Sequence, residues 1–171
     1  LDYYREFSPR ASQINTFEKM LSLARKFDLP ICIHNRDADK DILSILGNWY
    51  SEKVLGSSKK IAGIFHAYSG SRTIAEFGIA NGFAFGIGGP VTYKNSHQLR
   101  ENIRNIGLNN LVLETDAPYL SPNPYRGKRN EPKYIQIVLN TLSKVFELPI
   151  QQIEERTDEN AERLFLKRKM P

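Results

Sequence analysis

Three short apolar runs in this 171-residue chain lead into groups able to hold a metal ion. His34 follows Ile31-Cys32-Ile33, His66 follows Ala62-Gly63-Ile64-Phe65, and Asp116 stands just beyond Leu111-Val112-Leu113-Glu114. A neutral imidazole offers a lone pair to a divalent cation. A carboxylate adds charge and can take a proton from bound water. Two imidazoles and one carboxylate suit zinc, manganese or another divalent ion. Each residue also has an ordinary explanation. A histidine after an apolar run is often structural, and an aspartate before Ala117-Pro118 can shape a turn. Recurrence at matching strand ends is what points to one shared ion.

A basic loop follows Asp116 at once. Pro118, Pro122 and Pro124 interrupt regular structure, and the stretch they stiffen carries Arg126, Lys128, Arg129 and Asn130. Fixed positive charge beside a metal-binding carboxylate suits a phosphate. Arg36, two residues after His34, either contacts a phosphate as well or pairs with Asp37 or Asp39. Glu114 faces the same way as Asp116, one layer deeper, and is expected to orient a metal ligand from behind. Tyr68 and Tyr125 could stack on bases, but core or surface packing is the commoner use of such rings. His97 falls inside a predicted helix and reads as a surface residue. Gly86-Ile87-Gly88-Gly89 ends a strand, and no helix opens at its third glycine, so close packing explains it better than dinucleotide binding.

These residues need elements to position them. Ser8-Pro9 opens a helix with Ile14, Phe17, Leu21, Ala24 and Phe27 on one face. Asp37 is expected to cap a second helix, with Ile42, Ile45, Leu46 and Trp49 on its apolar face. A flexible link is expected over 56–60. Ser71 caps a third helix carrying Ile74 and Phe77, and a fourth is predicted over 95–106 with Leu99 and Ile103 inside. Glu131-Pro132 opens a long helix faced by Ile135, Val138, Leu139, Leu142, Val145 and Phe146. Two short helices are expected over 149–155 and 158–166, the second capped by Thr157. Strands are expected over 30–34, 61–66, 83–87 and 111–113. Leu1-Asp2-Tyr3-Tyr4 reads as the end of a further strand whose beginning lies upstream.

Strands alternating with helices imply a parallel α/β sheet with helices outside, either an open doubly wound sheet or a closed barrel. Parity along the strands sharpens this. Ala84, Gly86 and Gly88 form a small set, and Phe83, Phe85 and Ile87 a bulky one. Bulky residues would meet the helices, while small and functional ones fill a narrow barrel interior. The expected architecture is therefore part of a TIM-like (β/α)8 barrel. Its active site would lie at the C-terminal ends of the strands. Such barrels run to about 250 residues, so this chain supplies roughly half of one.

Bulk properties set wide bounds. Lys and Arg number 24 against 19 Asp and Glu, a net charge of +5, which permits a polyanionic partner without demanding one. The basic cluster at 167–169 reads as a solvated tail. The single cysteine, Cys32, sits in an apolar run and is expected to be buried, which fits a reducing, cytoplasmic setting. No apolar run reaches the ~18 residues of a membrane helix.

The segments LDYYRE, LPICIHNRDA, GIFHAYSGS, GFAFGIGGPVTYKN, LVLETDAPYLSPNPYRGKRNEP and TDENAERLF run from the first residue almost to the last. In this order they resemble the TatD-type metal-dependent deoxyribonucleases, a family of amidohydrolase-like barrels. The resemblance implies one or two divalent ions (Mg, Mn or Zn) at the barrel mouth and hydrolysis of phosphodiester bonds in DNA, often from the 3′ end. It matches His34 and His66 to metal ligands, and Asp116 to the aspartate that binds metal and helps activate water. It also implies that residues 1–171 are a single, incomplete barrel domain, from the end of strand 4 through strand 8 and the C-terminal helices. A His-x-His strand and a bridging glutamate, which the family carries ahead of the segment matching Leu1, are not in this sequence. The expectation is that these residues alone bind metal weakly and do not turn over. Two other readings stay open: a barrel hydrolase for a small ester or amide, and a non-catalytic fragment that binds nucleic acid or self-associates to complete a barrel.

Overall fold

The computed structural model describes residues 1–5, 7–51 and 62–166. The link expected over 56–60 and the solvated tail expected at 167–169 lie outside them. Strands β1 (Ile31–His34), β2 (Gly63–His66), β3 (Ala84–Ile87) and β4 (Leu111–Leu113) lie side by side in chain order. All neighbouring pairs are parallel. Helix α1 (Arg10–Lys26) precedes β1. Helices α2 (Asp39–Ser51), α3 (Arg72–Ala80) and α4 (His97–Ile106) fall between the strands, and α5 (Ile135–Phe146) and α6 (Ile150–Phe165) follow. Asp2 bridges in parallel to Arg36 just past β1. Tyr3 N donates to Arg36 O at 2.9 Å, and Arg36 N donates to Leu1 O at 3.0 Å. The first residues thus run beside β1 as a strand end, as the sequence predicts.

Parity divides the sheet. Ile31, Ile33, Phe65, Phe83, Phe85, Ile87 and Leu111 point to the helices and form the main core with Leu21, Ile42, Leu46, Ile74, Ile103 and Leu142. The aromatic rings pack on one another: Phe65 and Phe83 lie 5.1 Å apart by centroid, and Tyr68 meets Phe85 edge-on at 5.1 Å. Each fully buried phenylalanine contributes about 1.5–3 kcal/mol. Ile64, Ala84 and Val112 face the other way, where Leu164 of α6 covers them. Bulky outside and small inside is the arrangement that parity predicts for a barrel wall.

Local signals account for most boundaries. Ser71 Oγ accepts from Ile74 N at 3.3 Å and caps α3. His97 is the first residue of α4 and is exposed. Asp37 does not cap α2 as expected: it stands two residues ahead of the helix with φ 56°, and it is Ala38 O that accepts from Ile42 N at 3.0 Å. Pro132 opens a short 3₁₀ turn, Pro132–Tyr134, that leads into α5.

Two further expectations fail. The last 16 helical residues form one helix, α6, rather than two. Thr157 is buried inside it, and its hydroxyl donates to Ile153 O at 2.9 Å, the back-bonding open to a threonine in mid-helix. Asn160, also buried, donates to Leu108 O at 2.9 Å and Leu111 O at 2.8 Å, tying α6 to the start of β4. Cys32 is exposed, not buried. Its apolar neighbours Ile31 and Ile33 point to the helices, so Cys32 points inward, beyond the strands that Leu164 reaches.

Candidate active site at the C-terminal ends of the strands

The parallel register pairs His34 directly with His66. Both end their strands on the inner face, and their rings stand 5.7 Å apart. Beyond β4 the chain leaves the sheet, and Asp116 takes a left-handed backbone conformation, φ 56°. Its Oδ1 lies 3.9 Å from His66 Nε2. The strand therefore ends too early for parity to place Asp116; the turn does so instead. The three residues singled out in the sequence meet at one end of the sheet.

Glu114 occupies the layer below. Its Oε1 accepts from Ala67 N at 2.5 Å and lies 3.2 Å from His66 Nδ1. Gly86 makes the room, because a Cβ there would run into the Glu114 carboxylate. The glycine-rich stretch is thus close packing, as expected, and what it packs against is this acid. The hydrogen bond that His66 donates to Glu114 raises the His66 pKa above its ordinary value. Partial burial opposes that, and the charges of Glu114 and Asp116 add to it.

His34 has a partner that sequence reasoning missed. Its Nε2 lies 3.2 Å from Asp2 Oδ2. Asp2 also accepts from the backbone N–H groups of Tyr4 and Arg5, at 3.1 and 3.0 Å. Only the reading of the first residues as a strand end hinted that Asp2 would reach the mouth.

The basic loop is built as a fixed platform. Asn130 is buried, and its Nδ2 donates to Thr115 O and Tyr119 O, both at 2.6 Å. Its Oδ1 accepts from Glu131 N at 2.9 Å. The end of the loop is thereby tied beside Asp116. Asn123 donates to Thr92 O at 3.0 Å, and Tyr93 donates its hydroxyl to Ser121 O at 3.0 Å. Gly89 allows the Leu120 backbone to approach. Arg126, Lys128 and Arg129 are exposed on this platform, and Arg126 lies over the Tyr93 ring at 4.4 Å. Arg36 does not pair with Asp37 or Asp39. Its guanidinium lies over the Tyr4 ring at 4.0 Å, while Asp39 accepts from Asn35 at 2.7 Å and from Ser71. Tyr68 is a core residue whose phenol burial pushes up to about 12. Tyr125 stacks on Tyr134 at 4.3 Å.

The donor set fits a divalent ion in its chemistry: imidazoles and carboxylates at one mouth, of the types that zinc and manganese accept. Among the described residues no three such groups are drawn into a closed set. His34 faces Asp2, and His66 faces Glu114.

Parallel strands with helices outside, and imidazoles and carboxylates gathered at the strands' C-terminal ends, define a class: the β/α-barrel proteins that present functional groups at that mouth. The chain belongs to the family described as TatD related DNase, whose sequence pattern matches residues 1–166. It is 39% identical over 165 residues to YabD of Bacillus subtilis, named an uncharacterized metal-dependent hydrolase; the match covers 96% of this chain and 62% of that protein. It is 35% identical to the protein named 3'-5' ssDNA/RNA exonuclease TatD from Cronobacter turicensis, over 100% of this chain and 64% of that one. Among solved structures, YJJV, a TatD homolog from Escherichia coli, superposes with a TM-score of 0.80 at 27% identity, covering 96% of this chain and 61% of that one. The chain therefore spans about three fifths of the length of these relatives. Among the described residues no helix is long and apolar enough to cross a membrane.

Proposed function

We propose that this chain carries the metal-binding and phosphate-binding part of a phosphodiesterase that acts on DNA, trimming a single strand from its 3′ end. The observation that carries this reading is His66 between Glu114 and Asp116, with His34 beside it and a braced basic loop leaving the same strand end. In this reading His34, His66 and Asp116 hold the ion, of magnesium, manganese or zinc type, and Glu114 orients His66. When bound, the ion would lower the pKa of water and neutralise phosphate charge. The Asp116 carboxylate takes a proton from the attacking water, whose oxygen bonds to phosphorus as the bond from phosphorus to the leaving oxygen breaks; solvent returns a proton to that oxygen. Arg36, Arg126, Lys128 and Arg129 hold the strand by its phosphates. A cytoplasmic setting suits a chain with one exposed free thiol.

The test is a Mn²⁺ titration of these 171 residues, followed by incubation with 5′-labelled single-stranded DNA. Weak Mn²⁺ binding that Asp116→Ala and His66→Ala each remove, without turnover, is the expected result, since the family resemblance implies further ligands that this sequence does not contain. Robust cleavage abolished by Asp116→Ala would show that the site works without them. Mn²⁺ binding indifferent to both substitutions would overturn the assignment.

A further inference from the structure

The two halves of the mouth carry the same device. On the β1 side the Arg36 guanidinium lies 4.0 Å from the centre of the Tyr4 ring. On the β4 side the Arg126 guanidinium lies 4.4 Å from that of Tyr93. Neither arginine has a carboxylate partner among the described residues, although Asp2, Asp37, Asp39 and Glu131 are close in sequence. An arginine held on an aromatic face keeps its N–H donors for another acceptor, and a planar fork of donors matches a phosphate. The ring also removes part of the side chain's freedom before any ligand arrives, which lowers the cost of ordering it on binding.

Their placement gives the device a direction. β1 and β4 are the two edges of the four-stranded sheet, three strand spacings or about 14 Å apart. His34 ends the β1 edge, Asp116 follows the β4 edge, and His66 ends β2 between them. Tyr93 is fixed by its hydroxyl bond to Ser121 O at 3.0 Å, whereas Tyr4 is 65% exposed. The grip on the β4 side is therefore rigid and the grip on the β1 side adjustable.

Resting on the nuclease reading above, we infer that a single nucleic-acid strand crosses the mouth from one edge to the other. Arg36 and Arg126 grip phosphates on opposite sides of the reacting one, and Tyr4 and Tyr93 are the positioning residues that hold the two arginines ready. A site built this way accepts a reacting phosphate inside a strand, held through neighbours on both flanks, as well as the one next to a 3′ terminus, where only the neighbour on the 5′ side is held.

The test uses these 171 residues and fluorescein-labelled oligothymidylate of eight nucleotides, with affinity read by anisotropy across a salt series and without added metal. Arg36→Gln and Arg126→Gln should each weaken binding several-fold and lower the slope of log affinity against log salt by about 0.7, the value for one phosphate contact on a single strand. The double variant should lose about 1.4. Tyr4→Leu should weaken binding about threefold at unchanged thermal midpoint, with Tyr4→Phe restoring it, a contrast that a merely structural tyrosine would not give. A slope that falls for Arg126→Gln but not for Arg36→Gln overturns the crossing path and leaves the nuclease reading standing. Absence of any salt-dependent binding, together with Mn²⁺ binding indifferent to Asp116→Ala, sinks the nuclease reading itself.

Discussion

The mouth holds two histidines, each with a carboxylate at 3.2 Å: His34 of β1 with Asp2, and His66 of β2 with Glu114 from the β4 end. The two pairs, the β1 end and the β4 end of the mouth after these strands, are built differently. At the β1 end the His34 side chain is 48% exposed and Asp2 28%, and the pair rests on the first residues of the chain. At the β4 end His66 is 25% exposed and Glu114 20%. There the acid also accepts from Ala67 N and lies against Gly86, and the loop beyond it is tied down by buried Asn130. One end is braced through backbone groups of neighbouring strands, and the other is a surface pair. Surface pairs contribute about 0–1 kcal/mol, whereas a buried polar group stripped of its partners costs about 1–3 kcal/mol. The β4 end should thus set the geometry of the site and the β1 end should adapt to it.

Removing the brace is the most severe way to break this contrast. Asn130→Ala leaves the carbonyls of Thr115 and Tyr119 without their donor, and should cost about 3 kcal/mol in denaturant unfolding. Asp2→Ala should cost under about 1 kcal/mol. Equal losses would mean that the two ends are not braced unequally. Gly86→Ala comes next. The new methyl would meet the Glu114 carboxylate, a clash of about 2 kcal/mol. Because the two residues touch, Gly86→Ala combined with Glu114→Ala should be less damaging than the sum of the single changes. Strict additivity in that cycle would show that the acid does not lie where described. A smaller effect sharpens the contrast. Glu114→Gln should weaken Mn²⁺ binding about tenfold, as loss of a residue that orients a ligand typically does. Asp2→Asn should weaken it less.

Sequence reasoning reached the repeating parts of the molecule and missed the crossings. The four strands, the Ser71 cap and the inward set of Ala84 and Gly86 follow from periodicity over a few residues. His34 and His66 were legible because each ends such a run, and register then pairs them. Cys32 was misjudged because an apolar run hides alternation: its neighbours are buried and it is not. Thr157 has the chemistry of a helix cap, and only the packing of α6 against β4 shows that the helix runs through it. Asp2 lies 32 residues from His34, and Glu114 lies 47 from Ala67; no local pattern encodes either contact. Asn130 looked like one more polar residue of a basic loop. Its role depends on two carbonyls, 15 and 11 residues earlier, being brought to the same point.

The gentlest probe of the comparison is pH, applied to the metal-free protein. Glu114 raises the His66 pKa in the folded state, so the folded protein holds a proton there to higher pH than the unfolded chain does. The pair's stabilisation is fully present below the unfolded histidine value of about 6.5 and is lost as pH rises through the higher folded value. With metal removed by chelation, the thermal midpoint should fall modestly as pH rises above the unfolded value of about 6.5. Glu114→Gln should flatten that fall, because the amide carries no charge to favour the imidazolium. Asp2→Asn should leave the His66 share of the fall in place, since Asp2 pairs with His34 at the other end. A slope unchanged by Glu114→Gln and abolished by Asp2→Asn would reverse the assignment and make the β1 pair the one that responds to protons.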